Sequence, residues 1–288
     1  MSARRAIVTA ADQRFFRTLC QMLLSIERRS LQGGCDVIVF DLGLREAARR
    51  ELARRFAWCG VRPFDFDVYP PHVRDLTTFA WKPVIVGDVV EGRDGLLLWL
   101  DSGTLFHASL DPLFERIARD GIFSLAGQTV LGGCCDARTL ARLQPAAPDL
   151  VRPYRAGGVL GFDAARADVR TLVREWRDLA LDPDVLAPPG LDRRTHRFDQ
   201  AIITALLYRA DREGRFAVGD EEIDISSWKP VPWISTRNKV AEWMPLALDP
   251  VVRAYYAVAK RVDRLAIRAR KRAKQRSDEG TKARRQHA

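Results

Sequence analysis

The chain has 288 residues, of which 47% are hydrophobic and 29% charged, and its net charge is +10. This length and composition are typical of a globular protein with one large domain and room for a short appendage. No apolar run approaches the roughly 20 residues that cross a bilayer. The N-terminal segment also lacks the apolar stretch and cleavage site of a signal peptide. We therefore expect a cytoplasmic protein.

The cysteines favour a reducing compartment. Their number, five, is odd, and no two of them have the C-x-x-C spacing of a redox or zinc motif. The sequence therefore predicts neither a disulfide framework nor a zinc site.

The positive charge is concentrated at the C-terminus. Residues 253–288 hold 13 Lys/Arg and three Asp/Glu, whereas the preceding 252 residues hold 34 of each sign. We expect an α/β domain over residues 1–245, followed at 246–288 by a basic amphipathic helix and a disordered tail. Such a helix fits the anionic inner face of a membrane, to which the protein would bind peripherally. The alternatives are a helix docked on the domain or a nucleic-acid contact; the neutral domain argues against nucleic acid.

Strands and helices alternate along the first hundred residues. The apolar spacing predicts strands at 4–12, 35–43, 61–70 and 96–101, and helices at 13–29, 44–56 and 73–91. Pro83 marks either a kink or a helix start. This order predicts a Rossmann-like, mostly parallel sheet flanked by helices.

The second half is less regular. It predicts helices at 111–121, 163–180 and 196–210, a strand at 155–162 that follows a glycine turn, a loop at 182–194 and an extended segment at 227–239. Asp163 is the expected N-cap of the helix at 163–180.

Polar residues follow the predicted strands where these end. Asp12, Asp41 and Asp101 occupy such positions, and parallel sheets bind ligands beyond the carboxyl ends of their strands. Asp101 is followed by the small residues Ser102 and Gly103, which allow another group to approach closely. The alternative for Asp101 is a side chain that caps the following turn.

Six segments in a fixed order carry a resemblance to a known family. They are TAAD (9–12), FAWKPVIV (79–86), LLLWLDSGT (96–104), DPLF (111–114), AGGVLGF (156–162) and HRFDQAIIT (196–204). In order and rough spacing they resemble nucleotide-sugar glycosyltransferases with the A-type fold, the family 8 group above all. The resemblance covers about residues 5–240.

The resemblance implies a donor site at Asp101. In that family an Asp-x-Asp motif holds a divalent metal, manganese or magnesium, which stabilises the departing nucleoside diphosphate. Asp101 matches the first carboxylate and is the expected metal ligand, but Gly103 stands in place of the second. The family also has a late His ligand, and here the only later His is His287. The sequence thus leaves open whether a metal takes part.

Further donor-binding residues follow from the same resemblance. Thr9, Ala10 and Asp12 match the loop that reads the nucleotide, and Lys82 matches a basic residue near the donor. Asp12 is equally well explained as the N-cap of the next helix, and Lys82 as a solvated side chain.

A glycine pair and an Asp-Gln pair complete the predicted site. Gly157 and Gly158 line the site or form a plain turn. Asp199 and Gln200 lie near the transferred sugar in similar enzymes, and we expect both, with Asp101, to serve catalysis. The spacing of His196 places it on the same helical face. For Asp199 the alternative is a favourable position at a helix N-terminus.

These features predict a hexosyltransferase-like enzyme. It would move a sugar from a nucleotide-sugar to a saccharide or lipid-linked saccharide in cell-surface polysaccharide synthesis. The alternative is a catalytically degenerate sugar-binding or scaffold protein of the same fold, because the second carboxylate is missing.

Overall fold

The computed structural model describes residues 3–193, 195–219 and 233–237. The strands are β1 (Arg5–Ala11), β2 (Asp36–Asp41), β3 (Gly60–Pro63), β4 (Leu96–Leu100), β5 (Leu105–Phe106), β6 (Ile122–Val130), β7 (Pro153–Asp163) and β8 (Ile234–Ser235). The α-helices are α1 (Phe16–Arg28), α2 (Glu46–Arg55), α3 (Trp81–Glu91), α4 (Asp111–Asp120), α5 (Ala137–Leu143), α6 (Ala167–Leu181), α7 (Pro183–Leu186) and α8 (Asp199–Arg212). All of these belong to one compact unit, Met1–Lys239. The predicted basic helix and tail lie outside the described residues.

Six strands form the main sheet in the order β3-β2-β1-β4-β7-β6. Strands β1 to β4 are parallel to one another, and β7 pairs antiparallel with both β4 and β6. Within this sheet β7 therefore runs against the other five strands. The predicted mixed, mostly parallel sheet flanked by helices is confirmed.

The central strands are apolar along their whole length because both faces of the sheet are covered. All five residues of β4 are buried, as is typical of a strand in the middle of a parallel sheet. The main core lies between the sheet and the helices α3, α6 and α8, where Trp99, Phe162 and Trp176 pack. On the opposite face α4 packs against β4, β6 and β7.

Two predicted elements differ from the observed ones. The strand expected at 61–70 ends at Pro63, because Asp65 caps a short 3-10 helix at Phe66–Val68. Asp163 is not the cap of a helix: it is the last residue of β7, and α6 begins at Ala167. Pairing of β7 with β4, from Leu96 opposite Asp163 onward, extends the strand past the predicted boundary.

The remaining predicted boundaries shift by smaller amounts. The helix expected at 73–91 begins at Trp81, so Pro83 lies in its first turn, where proline fits without kinking the helix. The loop expected at 182–194 contains the short helix α7. Of the extended segment at 227–239, the described part is residues 233–237, in which β8 pairs with β5.

Glycine 161 is a packing requirement of β7. A Cβ there would lie 2.4 Å from Ile117 Cδ1 and 3.0 Å from Phe123 Cβ, since α4 packs directly on the strand. We expect Gly161→Ala to lower the free energy of unfolding by about 1–3 kcal/mol, the usual cost of overpacking. Urea denaturation measures this cost.

The control is Gly60→Ala in the edge strand β3, where the nearest atom to an added Cβ is Val37 O at 3.9 Å. This change should stay within about 0.5 kcal/mol of the wild type. Equal effects of the two substitutions would contradict the packing described for α4.

Candidate functional site

The site is organised around Lys82, the second residue of α3. Its side chain is only 1% exposed. Phe79, just before the helix, has a φ of 60°, in the left-handed region that bulky residues rarely adopt. The backbone N–H of Lys82 donates to Phe79 O at 3.0 Å, which closes this tight entry into α3. The alternative of a solvated lysine is therefore wrong, and contact of Lys82 with a donor stays a prediction.

Three acceptors surround the ammonium group of Lys82. Its Nζ lies 2.9 Å from Gly157 O, 3.1 Å from Asp101 Oδ1 and 3.5 Å from Asp199 Oδ2. A lysine has three N–H donors, so each acceptor can be matched by one of them. Lys82, Asp101 and Asp199, here called the lysine cluster, thereby join α3, the end of β4, β7 and the start of α8.

Aromatic rings enclose the rest of the ammonium group. Nζ lies 5.3 Å from the ring centroid of Phe79, 5.9 Å from that of Trp81 and 5.6 Å from that of Trp99. Rings at such distances attract a cation through their negative faces. The Trp99 Nε1–H also donates to Asp101 Oδ1 at 3.2 Å. Sequence reasoning missed this role of Trp99 and the contact of Trp81 with the ammonium group.

Burial and charge act against each other within the lysine cluster. Burial raises the pKa of Asp199 from 3.8 to about 6; the nearby Lys82 lowers it and Asp101 raises it. For Lys82, burial acts to lower the pKa, but the charges of Asp101 and Asp199 outweigh it and hold the pKa above its ordinary value. The ammonium group is therefore the charge that allows two carboxyl groups to lie here.

Asp199 is placed by a strained backbone. It is the first residue of α8, and Phe198 before it has φ 44° and ψ −120°. Such a conformation costs a bulky residue about 1–3 kcal/mol and is found mainly at functional sites. The Trp176 Nε1–H donates to Asp199 O at 3.0 Å and holds this turn in place. Both carboxyl oxygens of Asp199 are buried, and the ammonium group of Lys82, 3.5 Å from Oδ2, is the cation that faces them.

Gly157 and Gly158 lie inside β7, so the prediction that they form a turn is wrong. Instead, other side chains approach the backbone of both glycines closely. A Cβ at Gly158 would lie 3.0 Å from Asp101 Oδ2, and one at Gly157 would lie 2.7 Å from Gln200 Cγ and 3.1 Å from Asp199 Oδ2. The two glycines therefore bring Asp101, Asp199 and Gln200 together.

Asp101 is the member of the lysine cluster that reaches the surface, with 49% of its side chain exposed. The turn after β4 is closed by Thr104, whose N–H and hydroxyl both donate to the backbone oxygen of Asp101. The alternative that the Asp101 carboxylate caps this turn stays a prediction. Ser102 is buried in the turn, and Gly103 is half-buried.

Thr9, Ala10 and Asp12, on β1 and directly after it, lie at the same edge of the sheet but do not join the lysine cluster. Asp12 accepts a hydrogen bond from Phe15 N at 3.2 Å and pairs with Arg14, so its helix-capping role is confirmed. Thr9 and Ala10 are buried in β1, and Thr9 Oγ1 has no hydrogen-bond partner. Contact of Thr9, Ala10 and Asp12 with a nucleotide stays a prediction.

The spacing of His196 and Asp199 predicted that they share one helical face. The structure does not show this. His196 precedes α8, and its ring is buried between two loops: Nδ1 accepts from Asp136 N at 3.1 Å, and Nε2 lies 2.9 Å from Leu186 O. Since Nδ1 accepts, Nε2 carries the proton and donates. His196 therefore holds the loop ahead of Asp199 in place.

Comparison with known proteins gives a family model and a fold. A model of the family described as DUF1647, a protein of unknown function, matches residues 2–87. No curated protein matches the chain.

Solved structures of glycosyltransferases resemble the chain over most of its length. Mouse xyloside xylosyltransferase 1 is 12% identical with a TM-score of 0.50, over 82% of this chain and 98% of that one. The bifunctional glycosyltransferase WbbM is 14% identical with a TM-score of 0.50, over 73% of this chain and 38% of that one. The galactosyltransferase LgtC, in complex with donor and acceptor sugar analogs, is 23% identical with a TM-score of 0.46, over 70% of each chain.

The fold is that of the A-type glycosyltransferases. The resemblance expected from the sequence, to family 8 enzymes, is thereby confirmed. In this glycosyltransferase fold the lysine cluster occupies the carboxyl ends of the strands, where open α/β sheets bind their ligands.

The described residues of this glycosyltransferase fold do not fit a divalent metal. Asp101 is the one carboxylate left in the motif, and its Oδ1 already accepts from Lys82 and Trp99. The neighbouring carboxyl group, that of Asp199, is buried and faces an ammonium group. Within residues 3–193, 195–219 and 233–237 no group of three or more His, Cys, Asp or Glu is arranged to bind a metal ion. The expectation that Asp101 is a metal ligand therefore lacks partners in this part of the chain.

Loss of the ammonium group should destabilise the domain. We expect Lys82→Met to lower the free energy of unfolding by about 3–5 kcal/mol, since it leaves a buried carboxylate uncompensated. Lys82→Met/Asp199→Asn should cost less than the sum of the two single substitutions. Urea denaturation of all three variants gives this coupling.

The control is Arg174→Met. Arg174 makes an exposed ion pair with Glu91 at 2.6 Å, and its loss should cost less than about 1 kcal/mol. Additive costs in the Lys82–Asp199 cycle, within about 0.5 kcal/mol, would contradict the lysine cluster.

Asp199 should make stability depend on pH. A carboxyl group whose pKa is higher in the folded state contributes stability that is complete below its unfolded pKa and lost as the pH rises through its folded pKa. For Asp199 this interval is pH 3.8 to about 6. We expect the wild type to lose stability relative to Asp199→Asn as the pH rises across that interval. Carboxyl ¹³C NMR should give a midpoint near 6 for Asp199, and a midpoint below 4 would refute the burial argument.

Proposed function

We propose that the protein transfers a sugar from a nucleotide-sugar to a saccharide or lipid-linked saccharide. The observation that carries this proposal is the lysine cluster, which unites Lys82, Asp101 and Asp199 beneath Gly157–Gly158 at the ligand-binding edge of a glycosyltransferase fold. A half-exposed carboxylate over a buried, desolvated carboxyl group is an arrangement that structural stability alone does not require, because burying charges costs free energy.

Each member of the site has a distinct role in this proposal. Asp101, held by Lys82 and Trp99, accepts hydrogen bonds from sugar hydroxyls at a fixed position. Asp199 and Gln200, at the first turn of α8, contact the transferred sugar beside Gly157. In the reaction the bond from the anomeric carbon to the diphosphate oxygen breaks, a bond from that carbon to the acceptor oxygen forms, and the proton of the acceptor hydroxyl leaves with the nucleoside diphosphate or passes to water.

Cell-surface polysaccharide synthesis is the proposed setting, with a cytoplasmic protein bound peripherally to the inner face of the membrane. No helix in the described ranges is long and apolar enough to cross a bilayer. The proposal of membrane contact rests on the basic pattern of residues 246–288, which lie outside the described residues.

The test is release of nucleoside diphosphate from a panel of UDP- and GDP-sugars, with and without saccharide acceptors. We expect the wild type to release UDP or GDP, and Asp101→Asn to lower the rate about 100-fold or more, as loss of a group that stabilises the transition state does. The matched control is Asp178→Asn on the exposed face of α6, which should keep the wild-type rate.

The scaffold alternative makes a different prediction for the same panel. A degenerate sugar-binding protein would bind a nucleotide or a saccharide in calorimetry but release no nucleoside diphosphate from any donor. Absence of both binding and release would refute the glycosyltransferase proposal.

A further inference from the structure

A second cation, Arg193, lies in the segment that leads into α8, and the backbone around it is anchored. The N–H groups of Thr195 and His196 both donate to Asp192 O, at 3.1 Å and 2.9 Å, which closes a tight turn. The buried ring of His196 holds the end of this turn through hydrogen bonds at both of its nitrogens. Arg193 therefore lies in a turn that is fixed on the side next to α8.

Arg193 touches the aromatic enclosure of the lysine cluster. The residue is exposed, and its guanidinium carbon Cζ lies 4.6 Å from the ring centroid of Phe79. The same centroid lies 5.3 Å from Lys82 Nζ. The two cations are thus separated by no more than these two distances together, so the guanidinium group lies beside the site.

The ring that contacts both cations is held there by a strained backbone. Among the described residues, Phe79 and Phe198 are the aromatic residues whose φ is positive, at 60° and 44°. Phe79 lies just before α3, which carries Lys82, and Phe198 directly precedes Asp199. Such strain costs free energy and persists only where the surrounding structure fixes it, mainly at functional sites. The position of the Phe79 ring is therefore a feature of the site.

The two cations can serve different partners. The three donors of Lys82 are already matched by acceptors of the protein, and its ammonium group is buried. Arg193 is exposed instead, and the Phe79 ring attracts its charge without taking up its N–H donors in ordinary hydrogen bonds. A guanidinium group held in this way can bind a carboxylate or a phosphate through two parallel N–H donors.

The position of Arg193 along the chain indicates which substrate it meets. The predicted nucleotide-binding residues lie on β1 and directly after it, whereas those proposed to contact the transferred sugar lie on β7 and at the start of α8. Strand β4 separates β1 from β7 in the sheet. Arg193 belongs to the segment that enters α8, and so to the side of the transferred sugar. The acceptor has to reach that sugar, so an anion at Arg193 is a group of the acceptor.

We propose that the acceptor is an acidic saccharide, and that Arg193 binds its carboxylate or phosphate group beside the lysine cluster. This inference rests on the proposed function and names the class of its acceptor. Lys82 is the internal counter-ion of Asp101 and Asp199, and Arg193 is the external cation, which Phe79 holds in place.

Transfer kinetics of the full-length protein test this inference, with the nucleotide-sugar that gives release of nucleoside diphosphate. The acceptors are three disaccharides that differ only in their terminal residue: glucose, glucuronic acid or glucose 6-phosphate. We expect at least one acidic acceptor to have a KM about tenfold or more below that of the neutral one, the usual effect of a hydrogen bond to a charged group.

Substitutions of Arg193 should remove this preference selectively. Arg193→Gln should raise the KM of the preferred acidic acceptor about tenfold or more, since the charge is lost. The KM of the neutral acceptor, the KM of the donor and kcat should not change. Arg193→Lys, which keeps the charge without the paired planar donors, should fall between Arg193→Gln and the wild type.

The control is Arg54→Gln at the C-terminal end of α2, an exposed arginine whose substitution changes the net charge equally. It should keep the wild-type KM values, and all variants should keep the wild-type unfolding midpoint. Preference for only one of the two acids would support the inference and identify the bound group.

Three results would overturn the inference and leave the proposed function standing. They are equal KM values for acidic and neutral acceptors in the wild type, equal effects of Arg193→Gln and Arg54→Gln, and a rise in the KM of the donor instead of that of the acceptor. No release of nucleoside diphosphate with any donor and acceptor would overturn both the inference and the proposed function.

Discussion

A single buried ammonium group holds the site together. Lys82 is the only lysine in residues 1–228, where all other cationic side chains, histidines aside, are arginines. The planar guanidinium group of arginine presents its donors in a fixed fork, whereas the ammonium group of lysine directs three donors to acceptors on different sides. Gly157 O, Asp101 Oδ1 and Asp199 Oδ2 are arranged in that second way. The geometry of the site thus explains why a lysine stands in an arginine-rich domain.

Local patterns predicted the elements that bear the site, because those elements are strongly periodic or wholly apolar. The apolar run at 96–100 predicts a buried strand. A carboxylate directly after it is expected at the edge of the sheet, because burying a charge in the core costs free energy. Lys82, Gly157, Gly158, Asp199 and Gln200 were predicted from the order of motifs, and the structure brings them together around Asp101. Their placement depends on pairing between β4 and β7, which are more than 50 residues apart.

Other features could not be predicted from the sequence, because they too depend on contacts between distant parts of the chain. Whether a glycine pair forms a turn or a close contact depends on what packs over it, and here the side chains at 101, 199 and 200 decide. The aromatic enclosure of Lys82 requires that α3 lie on β4, which periodicity does not reveal. His196 was placed on a helix because its spacing suits one, but the strained turn at Phe198 starts that helix three residues later.

The lysine cluster and Gly157, whose backbone oxygen accepts a hydrogen bond from Lys82, come from four separate parts of the chain. The family model that matches this chain ends at residue 87, so it includes β1 to β3 and part of α3. Of the lysine cluster it includes Lys82 alone. A fragment with those limits would carry a lysine without the carboxylates that neutralise it, and without the strand that covers it. The lysine cluster is therefore complete only in a chain that extends to α8, and the matched N-terminal segment supplies one of its three charged groups.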